Sequence, residues 1–166
     1  MNVHFLHIPQ HKEFPEKFLC VITGEPCIAA IPIYKFDLEA YCLFTKSENV
    51  ITKFYSGIAP QTYEEDGYPA LVFLFSRRRL PLFGVVEAVP RLYVKFALER
   101  VYNVVVSTLS DEDIVQINKS YIKNTILNLF NVDPEGVIVE SEYKAKAFLI
   151  HANKQYHSHY IIRRKS

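Results

Sequence analysis

The sequence predicts a single α+β domain: a largely antiparallel β-sheet with two consecutive helices, about 91–108 and 111–130, packed on one face, and a C-terminal β-meander. Three observations predict it. The first ninety residues are short apolar runs separated by turn residues, the middle switches to helical spacing, and the end returns to strand-length segments. With 166 residues, 49% of them apolar, the chain suits one core that buries roughly 70% of the surface its unfolded form exposes.

The elements follow in order. "KFLCVIT" and "CIAAIPIY" flank Gly24-Glu25-Pro26 as two strands of a hairpin, and Pro32 places the second arm at an edge or bulge because it cannot donate to a ladder. "AYCLFTK" and "VITKFYSG" flank Ser47-Glu48-Asn49, although Phe36, Ala40 and Leu43 also suit a short helix. "APQTYEEDGYP" is an acidic surface loop. "ALVFLFS" is a continuous apolar run suited to a buried central strand, and "PLFGVVEAV" follows it across Arg77-Arg78-Arg79.

From Pro90 onward, Tyr93, Phe96, Ala97, Val101 and Val104 share a helical face. The next helix has Ser110 as its cap and Asp111, Glu112 and Asp113 in its first turn, where orphan N–H groups favour carboxylates. Ile114, Ile117, Tyr121, Ile122, Ile126 and Leu129 form its apolar stripe. "NVDPEG" is a turn, and "VIVESE", "KAKAFLIHA" and "QYHSHYIIRR" are three strands.

Composition narrows the function. The five glycines never form G-x-G-x-x-G or G-x-x-x-x-G-K-[ST], which argues against a nucleotide cofactor. No apolar run reaches about 18 residues, and the start lacks the pattern of a secretory signal, so neither a membrane span nor export is expected. Cys20, Cys27 and Cys42 are odd in number and never spaced C-x-x-C, which fits a reducing, cytoplasmic or otherwise intracellular compartment. Residues 1–76 hold five lysines against nine acids, net −4, whereas residues 77–166 hold fourteen Lys/Arg against nine acids, net +5. That asymmetry predicts a polyanion-facing side or self-association into a homo-oligomer.

Three constellations could carry chemistry. His151, His157 and His159 share one strand face if the hairpin turn spans Asn153–Gln155, and would then suit a metal ion; a two-residue turn at Asn153-Lys154 separates them. Asp133, Glu142 and Lys144 follow the D…E-x-K order of metal-dependent nucleases, in which two acids hold the ion and the lysine steadies water or phosphate. His157 is a further catalytic candidate there. Arg77, Arg78, Arg79, Arg163, Arg164 and Lys165 could neutralise phosphates while Tyr156 and Tyr160 stack on bases.

"AFLIHANKQYHSHYII" resembles, over sixteen residues, a strand-turn-strand segment of tRNA-splicing endonucleases. That resemblance would place the tyrosine role on His151 and the histidine role on His157, and the lysine role has no counterpart in this chain. No family is assigned on it.

The leading expectation is a small non-catalytic binding protein that contacts nucleic acid through its basic second half, as a homodimer and without a cofactor. A metal-dependent nuclease or phosphodiesterase and a protein-interaction module, such as a viral or host-interference factor, are the alternatives. A divalent metal enters only with the nuclease.

Overall fold

A computed structural model describes residues 6–24, 30–35, 40–45, 54–112 and 117–165; for 30–35, 40–45 and 161–165 it describes the backbone alone. The architecture is α+β. The principal sheet runs β1(Phe18–Gly24), β4(Phe54–Ala59), β5(Ala70–Phe75), β7(Val101–Leu109), β6(Val85–Ala97) and β8(Ile138–Ser141). β1 also pairs with β6, so the first five of these strands close into a barrel and leave no edge among themselves. β2(Ala30–Lys35) and β3(Ala40–Thr45) pair with each other as a separate ribbon, from Ala30↔Thr45 to Lys35↔Ala40, in place of the expected hairpin of β2 with β1, which pairs with β4 and β6.

Among the described residues every pairing is antiparallel except β5–β7, which is parallel with Leu71 opposite Val104. Strand β6 serves three neighbours because it is thirteen residues long. Its residues 85–88 pair with β1 and residues 92–95 with β8, while β7 runs along its other edge. The β6–β7 register slips between Pro90 and Leu92. A proline lacks the N–H a ladder needs, so a break there costs little.

Alternation sorts the core into two faces. Leu71, Phe73, Phe75, Leu92, Val94, Phe96, Tyr102, Val104 and Val106 lie on one, and helix α1(Lys119–Leu129) covers them with Ile122, Ile126 and Leu129. Phe18, Cys20, Ile22, Val72, Leu74, Tyr93 and Val105 lie on the other, under Ala145 and Leu149 of helix α2(Glu142–Lys165). Strand β5 is therefore buried on both sides, which is why "ALVFLF" has no polar alternation. Each fully buried Phe or Leu contributes roughly 1.5–3 kcal/mol from apolar burial.

The class agrees with expectation, but three placements do not. The expected helix 91–108 is the β6–β7 hairpin, closed by Leu98 N donating to Arg100 O at 2.9 Å. Leu92-Val94-Phe96 and Tyr102-Val104-Val106 satisfy a period of two, and the valine run favours strand. The expected helix 111–130 begins at Lys119, capped by Asn118, whose Oδ1 accepts from Tyr121 N at 2.9 Å. Ser110 instead donates its N–H to Glu87 O at 3.1 Å; Asp113 and Ile114 lie outside the described residues.

The expected C-terminal meander is β8 alone, followed by a 24-residue helix. Ala145, Leu149, Ala152 and Tyr156 recur at helical spacing and are all buried. The two helices thus cover opposite faces of the sheet rather than one. Among the described residues, no helix is long and apolar enough to cross a membrane.

Candidate functional site

The loop between β4 and β5 is pinned at nearly every residue. Thr62 Oγ1 donates to Ala59 O at 2.5 Å and accepts from Ala70 N at 2.9 Å, which closes its base. Tyr63 N donates to Ala152 O at 3.0 Å, and Asn153 Nδ2 donates to Gln61 O at 2.8 Å, which ties it to α2. Glu64 N donates to Tyr68 O at 2.8 Å and Gly67 N to Glu64 O at 3.0 Å, making a tight turn. Gly67 has φ 89°, a left-handed conformation suited to glycine.

That turn carries Glu64 inward, leaving it only 9% exposed. Its Oε1 accepts from Asn103 Nδ2 at 3.0 Å, and Asn103 Oδ1 accepts in turn from the Tyr93 hydroxyl. Its Oε2 is buried with no hydrogen-bond partner. Burial pushes the Glu64 carboxyl up to about 7; Asn103 and Arg100 oppose the shift and the Asp66 charge adds to it. Burial, with the charges of Glu64 and Glu140, also raises the Tyr93 hydroxyl to about 12.

Glu64 lines a cleft of about 370 Å³ with Asp66, Asn103, Phe148, His151 and Gln155. A second hollow of about 570 Å³ shares Glu65, His151 and Gln155 and reaches Tyr63, Lys154, Ser158 and His159. A carboxyl that titrates near neutrality populates both its forms at working pH, so it can take a proton and return it. A perturbed carboxyl in a cleft is the usual mark of a reactive site.

The expected site residues fare differently. His151, His157 and His159 lie on α2, not on a hairpin, so neither turn register applies and the resemblance to an endonuclease strand-turn-strand falls with them. His151 lines the cleft, with Nε2 3.0 Å from Gln155 Nε2. His159 stacks on Tyr63, with ring centroids 4.3 Å apart. The helix rises about 12 Å between residues 151 and 159, too far for one ion. Among the described residues, no three His, Cys, Asp or Glu side chains are placed to hold a metal.

Glu142 and Lys144 open α2, where residues two apart point about 200° from each other. Asp133 caps the short 3-10 turn 134–136 by accepting from Glu135 N at 3.2 Å. The D…E-x-K arrangement needs a strand, and a helix stands there.

Of the expected arginines, Arg78 is engaged within the chain. Arg78 pairs with Asp111 at 2.7 Å, and Glu112 accepts from Ser76 Oγ at 2.5 Å and from Arg77 N at 3.0 Å. Arg77, Arg78 and Arg79 are exposed and follow β5, whereas Tyr156 and Tyr160 pack near Tyr63, in the loop that precedes it. A six-residue strand separates these ends by about 20 Å. Tyr156 is buried and bonded to His7 Nδ1 at 2.5 Å. Tyr160 meets the His7 ring edge-on. Arg163, Arg164 and Lys165 lie in the last turn of α2, their side chains outside the described residues.

Sequence reading missed Glu64, Asn103 and Arg100. "YEEDGYP" reads as a solvated acidic loop, and nothing local distinguishes the buried Glu64 from the exposed Glu65 beside it. The one local signal is Asp66-Gly67, which marks the tight turn.

No protein-family model matches the chain, and no curated protein matches it. Solved structures match it in shape. The inorganic pyrophosphatase from Thermus thermophilus has a TM-score of 0.70 at 17% identity, covering 92% of this chain and 98% of its own. The enzyme from Neisseria gonorrhoeae gives 0.64 at 15% identity, covering 85% and 91%. The type I enzyme from P. falciparum gives 0.68 at 11% identity and covers 97% of this chain and 65% of its own. These likenesses, with the scattered arginines and tyrosines, overturn the expectation of a non-catalytic nucleic-acid-binding protein and its nuclease and interaction-module alternatives. The chain has the fold of inorganic pyrophosphatases.

Proposed function

We propose that this chain is a hydrolase of phosphoric anhydrides, pyrophosphate being the simplest, with Glu64 as its acid–base residue. The fold likeness supports the reaction class. The observation that carries the reading is Glu64, which lines the cleft while its Oε2 is buried and unpartnered, on a carboxyl poised near neutral pH.

In this reading ionised Glu64 takes a proton from water as the water oxygen bonds to phosphorus. The bridging P–O bond breaks, and its electron pair leaves with the second phosphate. The carboxyl then returns its proton to that phosphate. Asn103 holds Oε1 and leaves Oε2 for both transfers. His151 lines the cleft beside Glu64 and Lys154 lines the neighbouring hollow, so in this reading both would meet an anion that spans the two.

A divalent ion commonly neutralises charge in such reactions. The described donors do not fit one. Asp66 is paired with Arg100, Glu64 is held by Asn103, and no three ligating side chains converge among the described residues.

The test is phosphate release from pyrophosphate, measured with Mg²⁺ and with chelator, across pH. The expected rate rises as pH passes through about 7, and Glu64→Gln loses on the order of 10²–10⁴-fold. No release under either condition, or full activity in Glu64→Gln, removes the reading.

A further inference from the structure

Arg100 lies in the short connection between β6 and β7, at the tip of that hairpin. Its guanidinium lies over two rings, 3.8 Å from the centroid of Tyr68 and 4.3 Å from that of Tyr102. Nη1 donates to Asp66 Oδ2 and, at 3.3 Å, to Val101 O. The side chain is only 19% exposed, and its Nε is sealed from solvent.

The partners of this group fall into two sets. Asp66 and Tyr68 belong to the turn that carries Glu64, closed by Glu64 N to Tyr68 O and Gly67 N to Glu64 O. Tyr102 belongs to β7 and precedes Asn103, the residue that holds Glu64 Oε1. Arg100 therefore bridges the same two segments that the Glu64–Asn103 bond joins. A planar cation held over two rings and bonded to a carboxylate is restrained in tilt and in translation, which a lysine ammonium would not be.

We propose that Arg100 is a positioning residue: it clasps the 64–68 turn onto the β6–β7 hairpin and thereby keeps the Glu64 carboxyl on Asn103. This rests on Glu64 being the working group, and the test reads that carboxyl directly rather than turnover. The clasp and the charge of Arg100 act in opposite directions. Losing the clasp lets Glu64 reach solvent and ionise more easily, whereas losing only the cation makes it ionise less easily.

The experiment is a carbon-detected NMR titration of the Glu64 side chain in the full chain, with amide exchange followed across residues 64–68. In Arg100→Ala the midpoint should fall from about 7 toward the ordinary carboxyl value of about 4.3. Exchange in the turn should speed up by roughly tenfold or more while barrel amides keep their protection. Added guanidinium ion should move the midpoint back up.

Tyr68→Leu, which changes no charge, should lower the midpoint in the same sense and serves if Arg100→Ala does not fold. An unchanged or raised midpoint in Tyr68→Leu, where no lost charge can offset a lost clasp, overturns the clasp, and so does a rise in Arg100→Ala, which would leave Arg100 a role through charge alone. A lowered midpoint in a chain that releases no phosphate would uphold the clasp while removing the hydrolase reading.

Discussion

The side-chain amide of Asn103 donates to Oε1 of Glu64 at 3.0 Å, while Oε2 of the same carboxyl is buried without a partner. One oxygen is thereby fixed and the other left available. The residue is only 9% exposed, so its carboxylate is poorly solvated and the protonated form is favoured up to about pH 7.

This dictates how stability depends on pH. The Glu64 carboxyl is raised from 4.5 to about 7, so the folded chain binds its proton more tightly than the unfolded chain does. Its contribution is fully present below about pH 4.5 and is lost as the pH rises toward 7. The loss is on the order of 3 kcal/mol. Urea unfolding of wild type and Glu64→Gln at several pH values isolates this contribution, because the other carboxylates are common to both. Wild type should weaken relative to the variant as pH climbs; parallel curves would mean that Glu64 ionises normally.

Gly57 marks a close approach between β4 and β1. A Cβ built there would lie 2.6 Å from Cys20 Sγ and 2.8 Å from Val21 O. The carbonyl is part of the β1–β4 ladder and cannot easily move. Gly57→Ala should cost roughly 1–3 kcal/mol. Adding Cys20→Ala should recover part of that loss by removing the sulfur contact, but not the part due to the carbonyl. Denaturation midpoints of the two variants decide it.

Cys20 is fully buried, and burial pushes its thiol far above the ordinary range. A thiol reagent needs the thiolate. In a Cys27→Ser/Cys42→Ser chain at pH 8, modification should therefore proceed no faster than global unfolding. Rapid labelling of the native chain would show that the β1 face opens locally.

Part of this structure could be read from the sequence. "ALVFLF" is the central strand it looks like, and Ile122, Ile126 and Leu129 are the inward stripe of α1. Residues 91–108 misled because Tyr93, Phe96, Ala97, Val101 and Val104 suit a helix while Leu92, Val94 and Phe96 suit a strand. The decision came from strand partners far along the chain, such as Leu71 and Ile138. Propensity differences of about 1 kcal/mol across residue types are easily overridden by such burial. The tail misled in the opposite sense: the spacing of Ala145, Leu149, Ala152 and Tyr156 is helical, but the paired histidines drew attention to a strand.

By itself the sequence determined the α+β class, the buried strand 70–75 and the inward stripe of α1, because a side chain's drive to leave water depends on its own chemistry. Only the tertiary structure decided that Glu64 is the singular carboxyl. Its proton affinity depends on its burial, on Asn103, 39 residues away, and on Arg100. Such forces act through space and leave no local pattern in the chain.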